Sequence, residues 1–377
     1  MAGTTLDRKL TSARSTRVEF TVATPADDQD VRRLLRENAM SGQITLTFER
    51  EPDYFADADL PETEKQTIIA REGNRAVCVG SCSIRQRFVN GNACRAGYLG
   101  GLRLDARAAG RFDILRRGYE FFRELQSDNP ADYYFTSIAA DNLPARRFLE
   151  RGLPGMPSYE FVSEFVTLLL PVKHRPQMQK ALEAGTGNFG EVLKFLEEQG
   201  RQHQFAECWT ARELIALSVL GLRGEQFYCV RDAGHICASA AIWDQRAFKQ
   251  TVIRGYSPWL AMTRPVVNCF ARLLGTPTLP PIGATLAQAF VSHLAADPRK
   301  AEALTTLIEK AKEAVAEKGI EFLTLGFGAN DPRLVLLRNE FRCREYLSRI
   351  YVVRWPDLGT SSRELDGRGI GLEVGLL

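Results

Sequence analysis

The stretch Tyr98-Leu-Gly-Gly-Leu-Arg-Leu-Asp-Ala-Arg-Ala-Ala-Gly-Arg-Phe112 runs from an apolar, strand-like segment through a loop of small residues into a helical pattern. The first N–H groups of a helix have no intrahelical partner, and with the positive end of the helix dipole they form a seat for an anion. Small side chains at Ala108, Ala109 and Gly110 admit a phosphate to the backbone, while Arg107 and Arg111 add mobile charge. A pyrophosphate is the expected guest. The spacing is neither G-x-x-x-x-G-K-[ST] nor G-x-G-x-x-G, so the common nucleotide loops are excluded. Taken alone, the segment also fits a plain strand-to-helix turn with solvated arginines.

Upstream, an alternating run Val18–Ala23 precedes Pro25-Ala26-Asp27-Asp28, which opens a helix with Val31, Leu34 and Leu35 on one face. Thr67–Arg71, Ala76–Arg87 and Cys94–Leu104, joined by Glu-Gly-Asn and Asn90-Gly91-Asn92 turns, predict a three-strand antiparallel meander. Downstream, Ile114, Leu115, Tyr119, Phe122 and Leu125 recur at helical spacing, and Tyr133–Ala139 predicts a strand. A helix over about Pro144–Arg151 stops at Gly152, Pro154 and Gly155, and Glu160–Leu170 is strand-like.

The second half repeats this grammar. Phe227–Val230 and Ile236–Trp243 predict a hairpin, Thr285–His293 a strand, Ala301–Lys318 a long helix, Phe322–Phe327 a strand, Pro332–Phe341 a helix and Arg349–Trp355 a last strand. A helical stretch, Thr263–Leu274, with a Pro-rich exit is extra. A shift of 188 residues sets Tyr134-Phe135-Thr136 on Phe322-Leu323-Thr324, Asn142 on Asn330 and Pro144 on Pro332, so an internal duplication is the economical reading.

This order of elements, with its Arg-x-x-Gly loop, resembles the GCN5-related N-acetyltransferase (GNAT) superfamily. In that family the fourth strand leads into an Arg/Gln-x-x-Gly-x-Gly/Ala loop that binds the pyrophosphate of acetyl-CoA, and Leu102-Arg-Leu-Asp-Ala-Arg107-Ala-Ala-Gly110-Arg-Phe112 is similar to it. The later pattern of Asn, two residues, Ala and a helix ending at Gly is similar to Asn142-Leu-Pro-Ala145 through Gly152. The resemblance covers roughly 18–170, with a fainter copy over 191–356. It implies a mixed α+β (α/β) fold of two tandem GNAT-like domains, each a mostly antiparallel mixed sheet flanked by helices. The expected organisation is a flexible N-terminus over 1–16, an acyl-CoA-binding domain over 17–170, a linker over 171–190, a degenerate second copy over 191–356 and a flexible tail over 357–377.

Two departures stand out. Phe112 occupies the last small position of the loop, and Phe148-Leu149 stands where many relatives have a Tyr that protonates the CoA thiolate. In the second half the corresponding loop is Asp297-Pro298-Arg299-Lys300, with no glycine and an acid facing the phosphate position, so that copy is not expected to hold CoA.

The resemblance implies an acyl-CoA-dependent N-acyltransferase, with acetyl-CoA or another acyl-CoA as cosubstrate and a small-molecule or peptide amine as acceptor. The residues it assigns to the cosubstrate are Leu102, Arg103, Leu104, Arg107, Ala108, Ala109, Gly110, Arg111, Asn142 and Arg146, with Arg147 a further candidate. A lysine-like amine, with a pKa near 10.4, needs a base or a dry pocket to stay neutral for attack. The oxyanion needs a donor, which the family geometry places in the backbone around Leu102. Acid and base candidates are Tyr98 on the fourth strand and Tyr133 or Tyr134 on the fifth, with Glu49, Glu51 and Asp53 as carboxylate alternatives. For each tyrosine, packing at a strand edge is the competing reading. Cys78, Cys82 and Cys94 fit buried structural thiols better than acyl-carrying nucleophiles. Trp209, Trp243, Trp259 and Trp355 all fall in the second half, as core or as the lining of an acceptor cleft.

Composition narrows the alternatives. The chain has 377 residues, 45% hydrophobic and 25% charged, with 49 Lys+Arg against 46 Asp+Glu. That is an ordinary globular profile with no whole-molecule field for nucleic acid. Its eight cysteines make no C-x-x-C and its four histidines no H-x-x-x-H, so no metal is expected. Apolar runs fall short of the roughly 20 residues that span a bilayer, and residues 1–20 lack a continuous apolar core, so a cytoplasmic protein with no membrane partner is expected. A catalytically silent CoA- or ligand-binding sensor is the rival reading. An aminoacyl-tRNA-dependent transferase on the same duplicated fold is a second rival, disfavoured by the charge balance and the lack of a long basic helical arm.

Overall fold

The structure, a computed structural model, describes residues 17–172, 189–274, 276–359 and 363–377. In the first half, β1 (Val18–Val22) is followed by α1 (Asp28–Glu37), which buries Val31, Leu34 and Leu35, and then by β2 (Ile44–Glu49). The expected meander is β3 (Glu64–Glu72), β4 (Arg75–Val89) and β5 (Asn92–Leu104). Asn90 and Gly91 both have positive φ, a turn whose twist matches that of its strands. α2 (Phe112–Gln126), β6 (Tyr133–Ala139), α3 (Leu143–Leu149) and β7 (Ser158–Pro171) complete this half.

The second half opens with α4 (Phe189–Gly200), the short β8 (His203–Gln204) and β9 (Ala206–Glu207), and α5 (Ala211–Ala216). β10 (Phe227–Asp232), β11 (His235–Trp243), β12 (Gln250–Tyr256) and α6 (Pro258–Leu273) follow. Then come β13 (Gln288–Ala296), α7 (Ala301–Ala316), β14 (Phe322–Gly328), α8 (Pro332–Glu340), β15 (Arg344–Arg354) and β16 (Gly369–Ile370). β13 extends past the expected end at His293, because a bulge there lets the strand continue to Ala296.

One sheet runs through both halves in the order β1-β3-β4-β5-β6-β15-β7-β14-β13-β11-β10. Each half lends its last strand to the other: β15 pairs with β6 of the first half, β7 pairs with β14 of the second, and the two exchanged strands pair with each other from Arg344↔Leu169 to Arg354↔Ser158. Their composition suits this place. Ile350, Tyr351, Val352 and Val353 are buried in succession, the pattern of a strand covered on both faces. On the second half α7 lays Leu304, Leu307, Ile308, Ala311 and Val315 on β11, β13 and β14, which forms the largest apolar cluster.

The halves are tied elsewhere too. β2 pairs antiparallel with β12, where Arg254 meets the buried Glu49 at 2.5 Å. Arg85 bonds Glu213 and Arg87 pairs with Glu207, both buried.

The expectation of a flexible tail over 357–377 is corrected for its described part. Residues 363–377 pack back onto both halves: β16 runs parallel to β8, Ile370 and Leu372 are buried in a cluster with Val89, Tyr133 and Phe135 of the first half, and the Leu377 carbonyl accepts from Lys249 Nζ at 2.5 Å. Glycine-rich composition suggested mobility, but the apolar residues between the glycines supply the burial that docks the segment. The expected N-terminal flexible segment 1–16, and 173–188 of the expected linker, lie outside the described residues.

Candidate functional site

The parallel ladder between β5 and β6 runs only from Ala96↔Tyr133 to Leu99↔Thr136. Just beyond it β5 bulges: Ser81 faces Gly100 and Val79 faces Arg103, so one strand advances two residues while the other advances three. Gly101, at φ +65°, takes the left-handed conformation that a bulge of this kind requires, and Ser81 Oγ donates to the Gly100 carbonyl at 3.1 Å. Among the described residues the β5–β6 ladder goes no further, so the β6-facing edge of Gly100–Leu104 has no strand partner and the two strands part at a crevice.

Tyr98 and Arg103 of β5 lie beside this crevice within electrostatic reach of Tyr346, which the strand exchange delivers at the start of β15. Burial pushes the Tyr98 phenol up to about 12, against the pull of Arg87 and Arg103. Burial lowers the Arg103 guanidinium, against the pull of the phenols of Tyr98, Tyr346 and Tyr54. Its Nη1 donates to the Leu102 carbonyl at 2.9 Å and its Nε is buried without an acceptor among the described residues. An under-paired cation beside protonated phenols can hold an anionic group and supply a proton.

Two lysines that sequence alone did not single out lie within electrostatic reach of Asp57. Lys65 packs 4.9 Å from the Tyr54 ring and bonds Asp57 at 2.5 Å, and burial lowers its ammonium to about 8. Burial brings Lys249 down to about 7, with Arg50 pushing the same way.

The expected anion loop is corrected. Arg107 N donates to Asp105 Oδ1 at 2.9 Å, Ala108 N to the Asp105 carbonyl, Ala109 N to that of Ala106, Arg111 N to that of Ala108 and Phe112 N to that of Gly110. The buried Asp105 draws the loop inward, so most amides expected to receive phosphate serve the protein, while the Gly110 N–H has no protein acceptor among the described residues. Gly110 has φ +80° and open space around it. Arg111 is paired with Asp113 at 2.8 Å, whereas Arg107 is exposed. Phe112, 55% exposed, stacks on Phe148 of α3 at 4.7 Å and bridges the two helices flanking the loop.

The remaining candidates separate by face. Tyr134 is fully buried on the α2 side, its hydroxyl donating to Gln126 at 2.8 Å and accepting from Ala131 N, so it is corrected from an acid candidate to core. Tyr133 donates to the Arg363 carbonyl at 3.4 Å. Asn142 caps α3 by accepting from Ala145 N, and Arg146 Nη1 bonds the Ala140 carbonyl at 2.7 Å, so both act within the protein. Arg147 is exposed. Leu102 is exposed at the crevice edge, and Leu104 packs beneath it against the β1 side of the sheet. Glu49 is held by Arg254, Glu51 by Arg32 and Arg36, and Asp53 accepts from Phe55 N. Burial pushes the Cys78 and Cys94 thiols up to about 12 and Cys82 further, as expected of structural cysteines. Among the tryptophans, Trp243 and Trp355 are core and Trp259 is exposed. Among the described residues no group of His, Cys, Asp and Glu could hold a metal.

The second half contains the matching crevice, and it is closed. β13 pairs with β14 only from Gln288↔Phe322 to Phe290↔Thr324, then bulges at His293, whose φ is +51°. The His293 amide donates to Glu373 Oε2 of the tail at 2.7 Å, and Val374 presses against Gly326 of β14. What remains is a cavity of about 80 Å³ lined by residues that include His203, Glu207, Trp209, His293 and Glu373. Burial holds His293 down to about 3 and raises Glu373 to about 7. Trp209 packs against the core cluster of the second half, its ring 3.9 Å from that of His293 beside this cavity.

No family model matches the chain, and neither does any curated protein. Solved structures do. N-myristoyltransferase of Saccharomyces cerevisiae with bound myristoyl-CoA is 14% identical, with a TM-score of 0.58 over 97% of this chain and 91% of its own. A tandem GNAT protein from the clavulanic acid biosynthesis pathway is 13% identical, with a TM-score of 0.55 over 90% and 98% of the two chains. A GCN5-related N-acetyltransferase from Sphaerobacter thermophilus gives 14%, 0.53, 91% and 98%. The chain has the tandem GNAT fold.

Proposed function

We propose that this protein with the tandem GNAT fold is an acyl-CoA-dependent N-acyltransferase, using acetyl-CoA or a longer acyl-CoA to acylate a primary amine of a small molecule or peptide. The observation that carries the reading is the asymmetry of the crevices: β5 parts from β6 at a glycine bulge and leaves an open, cation-bearing cleft, while the equivalent cleft of the second half is filled by the chain's own tail. In this reading residues 17–170 hold the acyl-CoA, and residues 191–356 form a copy that shapes the acceptor side. The neighbours' own ligands and names, myristoyl-CoA among them, support the cosubstrate class.

The chemistry follows from the thioester. The neutral amine attacks the acyl carbonyl, an N–C bond forms, and the backbone of the Gly100–Leu102 bulge stabilises the oxyanion. The C–S bond then breaks, Tyr98 protonates the departing thiolate, and the amine loses a proton to Lys65 or water, so no covalent enzyme intermediate is needed. Arg103, Arg107 and the Gly110 amide are the groups left to hold the anionic end of the cosubstrate.

The inward-drawn amides of the 105–112 loop favour a second reading, a catalytically silent CoA-binding module. Thermal shift with CoA thioesters tests the shared premise. A ligand at a hundred times its dissociation constant adds about 2.7 kcal/mol of stability, and Arg103→Gln is expected to remove most of that gain. No shift with any CoA thioester contradicts both readings.

A further inference from the structure

α6 presents its apolar side to solvent. Trp259, Met262, Val266, Phe270 and Leu273 recur every three or four residues and are 69%, 82%, 59%, 61% and 74% exposed, and Ile282 beyond the helix is 63% exposed. The opposite arc is the attached one. Leu260 and Ala271 are buried there, and Asn268 exchanges two hydrogen bonds with Leu279, at 2.7 and 3.0 Å. An ordinary surface helix buries its apolar stripe; here the larger stripe faces outward, a patch that marks an interaction surface.

The stretch of sequence that carries the stripe has charge of one sign. From Gln245 to Ala296 the sequence has no Asp or Glu but carries Arg246, Lys249, Arg254, Arg264 and Arg272. Arg246 is paired with Asp244, Arg254 with Glu49, and Lys249 donates to the Gly375 and Leu377 carbonyls. That leaves Arg272, exposed beside the stripe, and Arg264, stacked on Tyr256 with Arg344 acting on the same phenol. A second copy docking on the same face would bring like charges together, whereas an anionic lipid surface complements them. Outward Trp, Phe, Met and Leu flanked by Arg are what an interfacial helix offers to the headgroup boundary. No helix among the described residues is long and apolar enough to cross a membrane.

We propose that α6 lies in the headgroup interface of an anionic bilayer, with Trp259, Met262, Val266, Phe270 and Leu273 inserted and Arg272 at the phosphate level. The sequence-based expectation is of no membrane partner, and the vesicle experiment decides between the two.

The full chain is sedimented with vesicles of phosphatidylcholine containing phosphatidylglycerol, and with vesicles of phosphatidylcholine alone. The chain is expected to pellet with the anionic vesicles and to show a blue shift in tryptophan emission. Trp259→Phe removes the shift, since Trp243 and Trp355 are already buried and Trp209 packs against His293. Met262→Glu with Phe270→Glu weakens partitioning by about tenfold or more while far-UV circular dichroism stays unchanged. Failure to pellet with anionic vesicles, or equal pelleting with neutral ones, overturns the proposal. So does a wild-type dimer in light scattering that the double variant converts to monomer while vesicles capture neither.

Discussion

Tyr98 is the residue on which the proposed chemistry leans. Its phenol is held protonated by burial and, among the described residues, its oxygen has no protein partner, so it is available to a leaving group. Tyr98→Phe keeps the ring that packs 5.3 Å from Phe135 and removes only the proton. It is expected to lower kcat by about a hundredfold or more with little change in KM for the acyl-CoA, read in steady-state kinetics. Glu373 gives a separate test. Its carboxyl is raised from 4.5 to about 7 by burial, with Glu207 adding to the shift and Arg85 opposing it. The folded state therefore holds a proton that the unfolded chain releases, and stability falls as pH rises from about 4.5 to about 7. Glu373→Gln is expected to flatten that part of the pH–Tm curve; an unchanged slope contradicts a buried, raised carboxyl.

At the scale of elements, the bulge of β5 and the exchange of β7 and β15 decide where the site lies. Gly101→Ala places a Cβ 3.1 Å from Ser81 Oγ at φ +65°. A loss of about 1–2 kcal/mol, read by urea unfolding, is expected together with reduced turnover. Most elements were legible because their periods are strong: the meander, the Tyr133–Ala139 strand and the long α7 fall where the apolar spacing put them. The exchange was not legible, because Val352 or Leu168 is equally apolar whichever neighbour it pairs with. Tyr346 was missed for the same reason. Tyr133 and Tyr134 point to opposite faces of β6, and neighbouring residues of one type do not tell which face meets the crevice. The loop misled because amides at a helix start read as open until Asp105 is seen to turn inward.

For the whole molecule, the exchange makes each half depend on the other for its innermost strand. Heat or urea is expected to unfold the chain in one transition, with coincident tryptophan fluorescence and far-UV circular dichroism, rather than as two separate domains. Two resolved transitions contradict the exchanged sheet. The first-half fragment ending at residue 172 lacks β15 and is expected to remain poorly folded until the remainder of the chain is added.

Release of free CoA thiol from acetyl-CoA and longer acyl-CoAs, measured with and without a panel of amines and amine-bearing peptides, reaches the central claim most directly. Amine-dependent release that Tyr98→Phe suppresses is the predicted result. Tight CoA binding with no amine-dependent thiol from any pair would contradict it and leave a silent binding module.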